Sequence, residues 1–281
     1  MSIEFTKMQA YGNDYVYINA IKQSIADPNA LAVRVSKRRF GVGADGMVLI
    51  CPSEKADFRM RIFDPDGTEA EMCGNAIRSV AKYVFDYGLT GKTEITIETL
   101  GGIKTLSLDI ENGKAVNIEA DIGLPIYTAA EIPANTRGLE FFGEQVHIID
   151  REFILSSLSW GNPHTVAFIE CPLAEFDVEK YGRAIENKLD IFPKRTNVTF
   201  AKVISRTHIA IREWERGTGE TIGCGTGCCT AFCVARRNGL VDGSVTVTQI
   251  GGDLFVREEE SNGHIIMKGP SHVVYDGVLK D

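Results

Sequence analysis

Two short stretches hold residues that can do chemistry. EMCGNAIRSVAKYV begins at Glu71 and GCGTGCCTAFCVA begins at Gly223. Each sets a cysteine, a glycine and a small polar residue directly before an apolar helical run, as Cys73-Gly74-Asn75 and Cys224-Gly225-Thr226. A cysteine at a helix entrance meets unpaired backbone N–H groups and the positive end of the helix dipole, both of which favour an anion. That setting is expected to lower the thiol pKa and enrich the thiolate. The glycine and small residue that follow leave the backbone uncovered, so a small carboxylate can approach the same N–H groups. A thiol beside an anion cradle, present twice, suits chemistry at a carbon next to a carboxylate. One thiolate removes the α-proton and the opposite thiol returns a proton to the other face. The enolate-like charge lies against helix N-termini, in a site that must exclude water.

The two stretches belong to a longer repeat. Cys73 and Cys224 are 151 positions apart, and Gly12-Asn13 in QAYGNDYVYIN matches Gly161-Asn162 in SWGNPHTVAFI at an offset of 149. Gly88-Leu89 matches Gly239-Leu240 at 151, ITIETLGG from Ile95 matches VTVTQIGG from Val245 at 150, and Asn112-Gly113 matches Asn262-Gly263 at 150. Five matches in one order and at nearly one offset point to two similar halves of about 140 residues, an ordinary domain size. In each half, alternating β-branched segments such as YVYIN, MVLIC and FRMRIF read as strands, and one helix follows the cysteine. Ile77, Val80, Ala81 and Val84 form a helical stripe, whereas the run from Cys228 to Ala235 is apolar nearly all round and must be buried on most sides. The stretch from Leu124 to Gly138, with two prolines, reads as the connection between halves.

Composition sets the limits. A chain of 281 residues with 44% hydrophobic and 24% charged content reads as globular. A net charge of −8 argues against a nucleic-acid partner, which calls for clustered cations. No like-charge block suggests a membrane-binding tail, and no apolar run is long enough to span a bilayer. The N-terminus shows no signal-peptide pattern, so the expected location is cytoplasmic.

Seven cysteines, four of them within ten positions, are unlike a secreted disulfide framework and read as free thiols. Buried cysteines usually act as small hydrophobes, which suffices for Cys51, Cys171, Cys228, Cys229 and Cys233. A zinc site built on Cys224, Cys228, Cys229 and Cys233 lacks a Cys-x-x-Cys pair and a nearby histidine. A thiol–disulfide oxidoreductase also calls for Cys-x-x-Cys.

The motifs resemble those of the diaminopimelate epimerase family over essentially the whole chain. They are FTKMQAYGNDY from Phe5, GVGADGMVLI from Gly41, DPDGTEAEMCGN from Asp64, WGNPHTVAF from Trp160, RTNVTF from Arg195 and WERGTGETIGCGTG from Trp214. The resemblance implies an α+β fold of two similar domains related by a pseudo-twofold repeat. Each domain is a β-sheet rolled around a central helix, with the active site in the cleft. The implied boundaries are 1–120 with a returning C-terminal strand at 270–281, and 121–269. The implied activity is interconversion of LL- and meso-2,6-diaminoheptanedioate in lysine and peptidoglycan biosynthesis, with no pyridoxal phosphate and no metal, as a homodimer.

Carried over residue by residue, Cys73 and Cys224 are the acid/base thiols, His164 serves Cys73 and Glu215 serves Cys224. The backbone at Gly74-Asn75 and Gly225-Thr226 holds the reacting carboxylate. Asn13, Asp64, Asn162, Asn197, Glu215 and Arg216 bind the amino groups and the distal carboxylate, with Arg216 supplying a planar fork. The sequence departs from the family at Asp64, where asparagine is usual, and at Gly46, Trp160 and Ala76. A carboxylate at 64 opposes a carboxylate in the ligand, which keeps two other readings in view. One is a two-thiol racemase of another amino acid such as histidine or proline; the other is an amino-acid-binding protein without catalysis.

Overall fold

A computed structural model describes residues 2–280, which divide into two compact units: residues 2–121 with 268–280, and Ile122–Met267. The first unit begins with β1 (Ile3–Ala10), β2 (Asn13–Asn19), α1 (Pro28–Ser36), β3 (Gly46–Cys51), β4 (Phe58–Phe63) and β5 (Glu69–Ala70). It continues with α2 (Gly74–Asp86), β6 (Glu94–Thr99), β7 (Gly102–Glu111) and β8 (Lys114–Gly123). The second holds β9 (Glu144–Ile148), β10 (Arg151–Ser159), β11 (Pro163–Phe168), α3 (Val178–Glu186), β12 (Asn197–Ser205) and β13 (His208–Glu215). After these come β14 (Gly219–Thr221), α4 (Gly225–Arg237), β15 (Ser244–Gln249), β16 (Gly252–Glu258) and β17 (Ile265–Gly269). The last strand, β18 (His272–Leu279), pairs with β1.

The two units use one pairing scheme. In the first, β18–β1 and β1–β2 are antiparallel, β2–β3 parallel, β3–β4 antiparallel, β4–β6 parallel, and β6–β7 and β7–β8 antiparallel. In the second, β9–β10 and β10–β11 are antiparallel, β11–β12 parallel, β12–β13 antiparallel, β13–β15 parallel and β15–β16 antiparallel. Parallel neighbours require a crossover, and a helix fills each one: α1 and α2 in the first unit, α3 and α4 in the second.

The crossover helices take opposite faces of the sheet. α1 packs on β2, β3 and β4 through Leu31, Ala32 and Val35, which meet Val16, Ile18, Met47, Leu49 and Phe63. α3 does the same in the second unit, where Val178, Tyr181 and Ile185 join Phe153, Phe200 and Trp214. α2 touches β1, β2, β4, β6 and β7, and α4 touches β11, β12, β13, β15 and β16, so each sheet curls around its second helix. A strand between two such layers is buried on both faces, which is why GMVLIC in β3 is apolar without alternation. The stripe on α2 does not predict one feature. Its polar residues Asn75, Arg78 and Ser79 are buried together with Ile77, Val80 and Ala81, so the helix is enclosed on all sides.

The repeated dipeptides hold equivalent places. Gly88 and Gly239 each follow the last helical turn, at φ 70°, and their neighbours Leu89 and Leu240 donate back to Val84 and Ala235. That closing geometry needs the left-handed region, which glycine enters without cost. Asn112-Gly113, at φ 49° and 74°, turns β7 into β8 in the way Asn-Gly pairs favour. Among the described residues no helix is long and apolar enough to cross a membrane. A Cβ at Gly88 meets open space, so Gly88→Ala is expected to cost about 1 kcal/mol from backbone strain alone. Urea unfolding at unchanged m-value measures it, and an unchanged midpoint counts against the turn geometry.

Candidate active site

In the first unit Cys73 is the N-cap of α2, at φ −135° and ψ 123°, and Gly74 and Asn75 open the helix. Asn13, the first residue of β2, reaches this turn. Its Oδ1 accepts from the Cys73 thiol at 3.5 Å and from Asn75 Nδ2 at 3.4 Å, while its own Nδ2 donates to Asp45 at 2.9 Å. Arg78, fully buried one turn into α2, donates to the Gly74 carbonyl at 3.1 Å and to Asn75 Oδ1 at 2.7 Å. Tyr15, buried on β2, extends its hydroxyl to Asn13 and Cys73; burial, then the thiol, push it well above the usual phenol range. The structure therefore gathers Asn13, Cys73, Gly74 and Asn75, and adds Arg78 and Tyr15. Asp64 follows β4, where its backbone N–H and C=O close a turn with Thr68 and Gly67. Burial and the neighbouring Asp66 raise its carboxyl above the ordinary aspartate range.

In the second unit Cys224 is the N-cap of α4, and its sulfur accepts from Gly227 N–H at 3.4 Å and lies 3.5 Å from Thr226 Oγ1. Its own N–H donates to Gln249 Oε1 at 2.8 Å, which ties the entrance of α4 to the end of β15. Glu215 ends β13, where its Oε1 accepts from Thr221 Oγ1 at 2.6 Å. Arg216 follows it; the Arg216 N–H donates to Asn197 Oδ1 at 2.9 Å and its exposed guanidinium to the Lys194 carbonyl at 3.0 Å. Asn162 sits in the turn between β10 and β11, where its carbonyl accepts from Trp160 N–H. His164 is not a loop residue; it lies within β11, fully buried, with Nε2 3.4 Å from Asn197 Nδ2.

The electrostatics at Cys224 correct the expectation of a lowered thiol pKa. Burial, then the charges of Glu215 and Glu213, push this thiol well above its ordinary value, against smaller opposing help from Thr226 and the Gly227 N–H. The helix end acts in the expected direction, but desolvation and two carboxylates outweigh it. A thiol so held is a proton donor at neutral pH.

Sequence reasoning missed Glu213. On β13 the inward positions Ile209 and Ile211 alternate with outward ones, and Glu213 continues the inward series at 2% exposure. A carboxylate at an inward strand position is the signal that was available.

Solved structures share this architecture. A phenazine biosynthesis protein of the PhzF family from Bacillus anthracis covers all of the chain and is itself covered completely, at TM-score 0.73 and 20% identity. A hydroxyproline epimerase from Agrobacterium vitis matches 99% of the chain and 92% of its own at TM-score 0.72 and 12% identity. With a thiol capping the central helix of each unit, the chain shares the α+β fold class of these proteins. Within that class the chain belongs to the diaminopimelate epimerase family, whose profile matches residues 5–127 and 156–274. A diaminopimelate epimerase from Acetivibrio thermocellus is 46% identical over 275 residues, 98% of each chain. One from Methanococcus maripaludis is 46% identical over 277 residues, 99% of each.

The raised Cys224 thiol makes a direct test. Iodoacetamide labelling of Cys224, followed by peptide mapping, is expected to remain slow at pH values where free cysteine reacts fully. Glu215→Gln, which removes the larger of the two repelling charges, should move the labelling profile to lower pH. A profile that matches free cysteine, or that ignores the substitution, contradicts this account.

Proposed function

We propose that the protein interconverts LL- and meso-2,6-diaminoheptanedioate by a two-base reaction in which Cys73 and Cys224 act on opposite faces of one α-carbon. The observation that carries this reading is that both thiols cap the buried central helices of a repeated fold, in a chain of the diaminopimelate epimerase family. Each cap brings a helix N-terminus for the reacting carboxylate, at Gly74-Asn75 and at Gly225-Thr226. One thiolate takes the α-proton, the opposite thiol delivers its own, and the intervening carbanionic charge is stabilised at the helix ends. The Glu215 and Glu213 charges support Cys224 as the group that starts protonated.

The distal amino and carboxylate groups of the substrate fall to Asn13, Asp64, Asn162, Asn197, Glu215 and Arg216. Asp64 is the carboxylate of this set, raised by burial and then by Asp66. His164 is the group assigned to assist Cys73, and its Nε2 lies 3.4 Å from Asn197 Nδ2. The two compact units serve as the two domains of the enzyme, and no pyridoxal phosphate or metal enters the reaction. A homodimer is supported by Val273, Val274, Tyr275 and Val278 on β18, which leave apolar surface exposed.

Incubation of the reduced protein with LL-diaminopimelate in deuterated water tests the reading. Deuterium at one α-carbon together with the meso isomer is the expected result; exchange only with proline or histidine would overturn the substrate assignment. Cys73→Ala and Cys224→Ala should each reduce turnover by at least about a thousandfold, the scale of losing a proton-transfer group, with the fold unchanged by circular dichroism. Wild-type rates from either variant would end the two-base assignment.

A further inference from the structure

Glu213 is a buried carboxylate to which neither the repeat nor the motifs assign a task. The register of three adjacent strands places it. His164 on β11 stands opposite Asn197 on β12, and Thr199, two residues further along β12, stands opposite Glu213 on β13. A two-residue step returns to the same face of a strand, so Asn197 and Thr199 share the inward face with the side chains of His164 and Glu213. Thr199 Oγ1 donates to Glu213 Oε2 at 2.5 Å. The other oxygen, Oε1, lies 3.6 Å from His164 Nδ1. Both atoms are fully buried, and neither makes a hydrogen bond among the described residues.

The proton on the His164 ring can be assigned from the other side. Asn197 is oriented by two bonds: its Oδ1 accepts the Arg216 N–H at 2.9 Å and its Nδ2 donates to the Pro163 carbonyl at 3.1 Å. A flipped amide would set oxygen against the Pro163 oxygen, so Nδ2 is the atom facing His164 Nε2 at 3.4 Å. An amide nitrogen only donates, which makes Nε2 the bare acceptor and leaves the ring proton on Nδ1, aimed at Glu213. The carboxylate also rests against the first turn of α4. A Cβ at Gly227 would collide with Glu213 Oε2, and the Gly227 N–H is the one that reaches Cys224 sulfur. A glycine here leaves room for the carboxylate at the positive end of the helix dipole.

We infer that Glu213 is a positioning residue: it fixes the His164 ring with Nδ1–H toward itself, so that Nε2 holds Asn197, and Asn197 in turn holds the backbone of Arg216. The chain of contacts runs from a carboxylate beside the Cys224 helix to the groups assigned to the distal end of the substrate. It rests on the diaminopimelate reading only in taking Asn197 and Glu215-Arg216 as substrate-holding groups.

Long-range proton–nitrogen spectra of the histidine rings test the assignment without reference to activity, with His164→Gln to identify the signal. The wild-type ring should carry its proton on Nδ1, and Glu213→Ala should shift it to the Nε2–H form that isolated imidazole favours. In the same variant the KM for diaminopimelate should rise about tenfold, the scale of one misplaced hydrogen-bonding group. Glu213→Gln keeps an oxygen for Nδ1–H and should restore both the tautomer and the KM. If Glu213→Ala does not fold, Thr199→Val, which frees Oε2, should move both readouts in the same direction by less. An Nε2–H ring in the wild type, or a Gln variant as impaired as the Ala variant, would overturn the inference. Failure of the wild type to exchange diaminopimelate would sink the functional reading alone, because the ring spectra are read independently of turnover.

Discussion

A helix wrapped by its own sheet cannot leave its first turn to water, and this constraint governs the molecule. The leading N–H groups of α2 and α4 must find acceptors inside the protein or in a ligand. The side chains at hand are limited to those the strands and the helix itself bring to the entrance. Cys224 sulfur takes one N–H, from Gly227, and Gln249 takes the N–H of Cys224 itself. At α2 the thiol makes no such cap; it donates to Asn13 instead. The leading N–H groups and the dipole at such an entrance favour an anion. Glycine and a small residue after each cysteine keep that site uncovered.

The two entrances obey the same backbone rule and carry opposite charge. Five residues after Cys73 stands Arg78, a fully buried guanidinium bonded to Gly74 and Asn75 within the cradle turn. Five residues after Cys224 stands Cys229, and the charges near that thiol are the carboxylates of Glu213 and Glu215. At Cys224, burial and those two carboxylates raise the thiol.

Much of this was legible in the chain. The offset near 150 announced two similar halves, and the matching dipeptides occupy equivalent turns: Gly88 and Gly239 close the central helices. Those signals are local, because turns and helix ends depend on residues within a few positions. Burial of α2 was less legible. Its apolar stripe suggested one buried face, yet Asn75, Arg78 and Ser79 are enclosed as well, since they find partners in Asn13, Gly74 and Ser271. The placement of His164 within a strand was hidden by the Gly-Asn-Pro that precedes it, which reads as turn until β12 is seen to pair alongside.

The amino-acid sequence by itself determined the duplicated plan, the two thiols at helix entrances and the open backbone beside each, because periodicity and capping are properties of short segments. Only the tertiary structure decided the charge around each thiol. Glu213, Thr199, Asn197 and His164 come from three strands, and it is their register that sets a carboxylate against one helix mouth and orients an imidazole toward it. Desolvation then turned the expected thiolate at Cys224 into a held thiol. Burial and register depend on where the whole chain folds back, so no short stretch could have shown them.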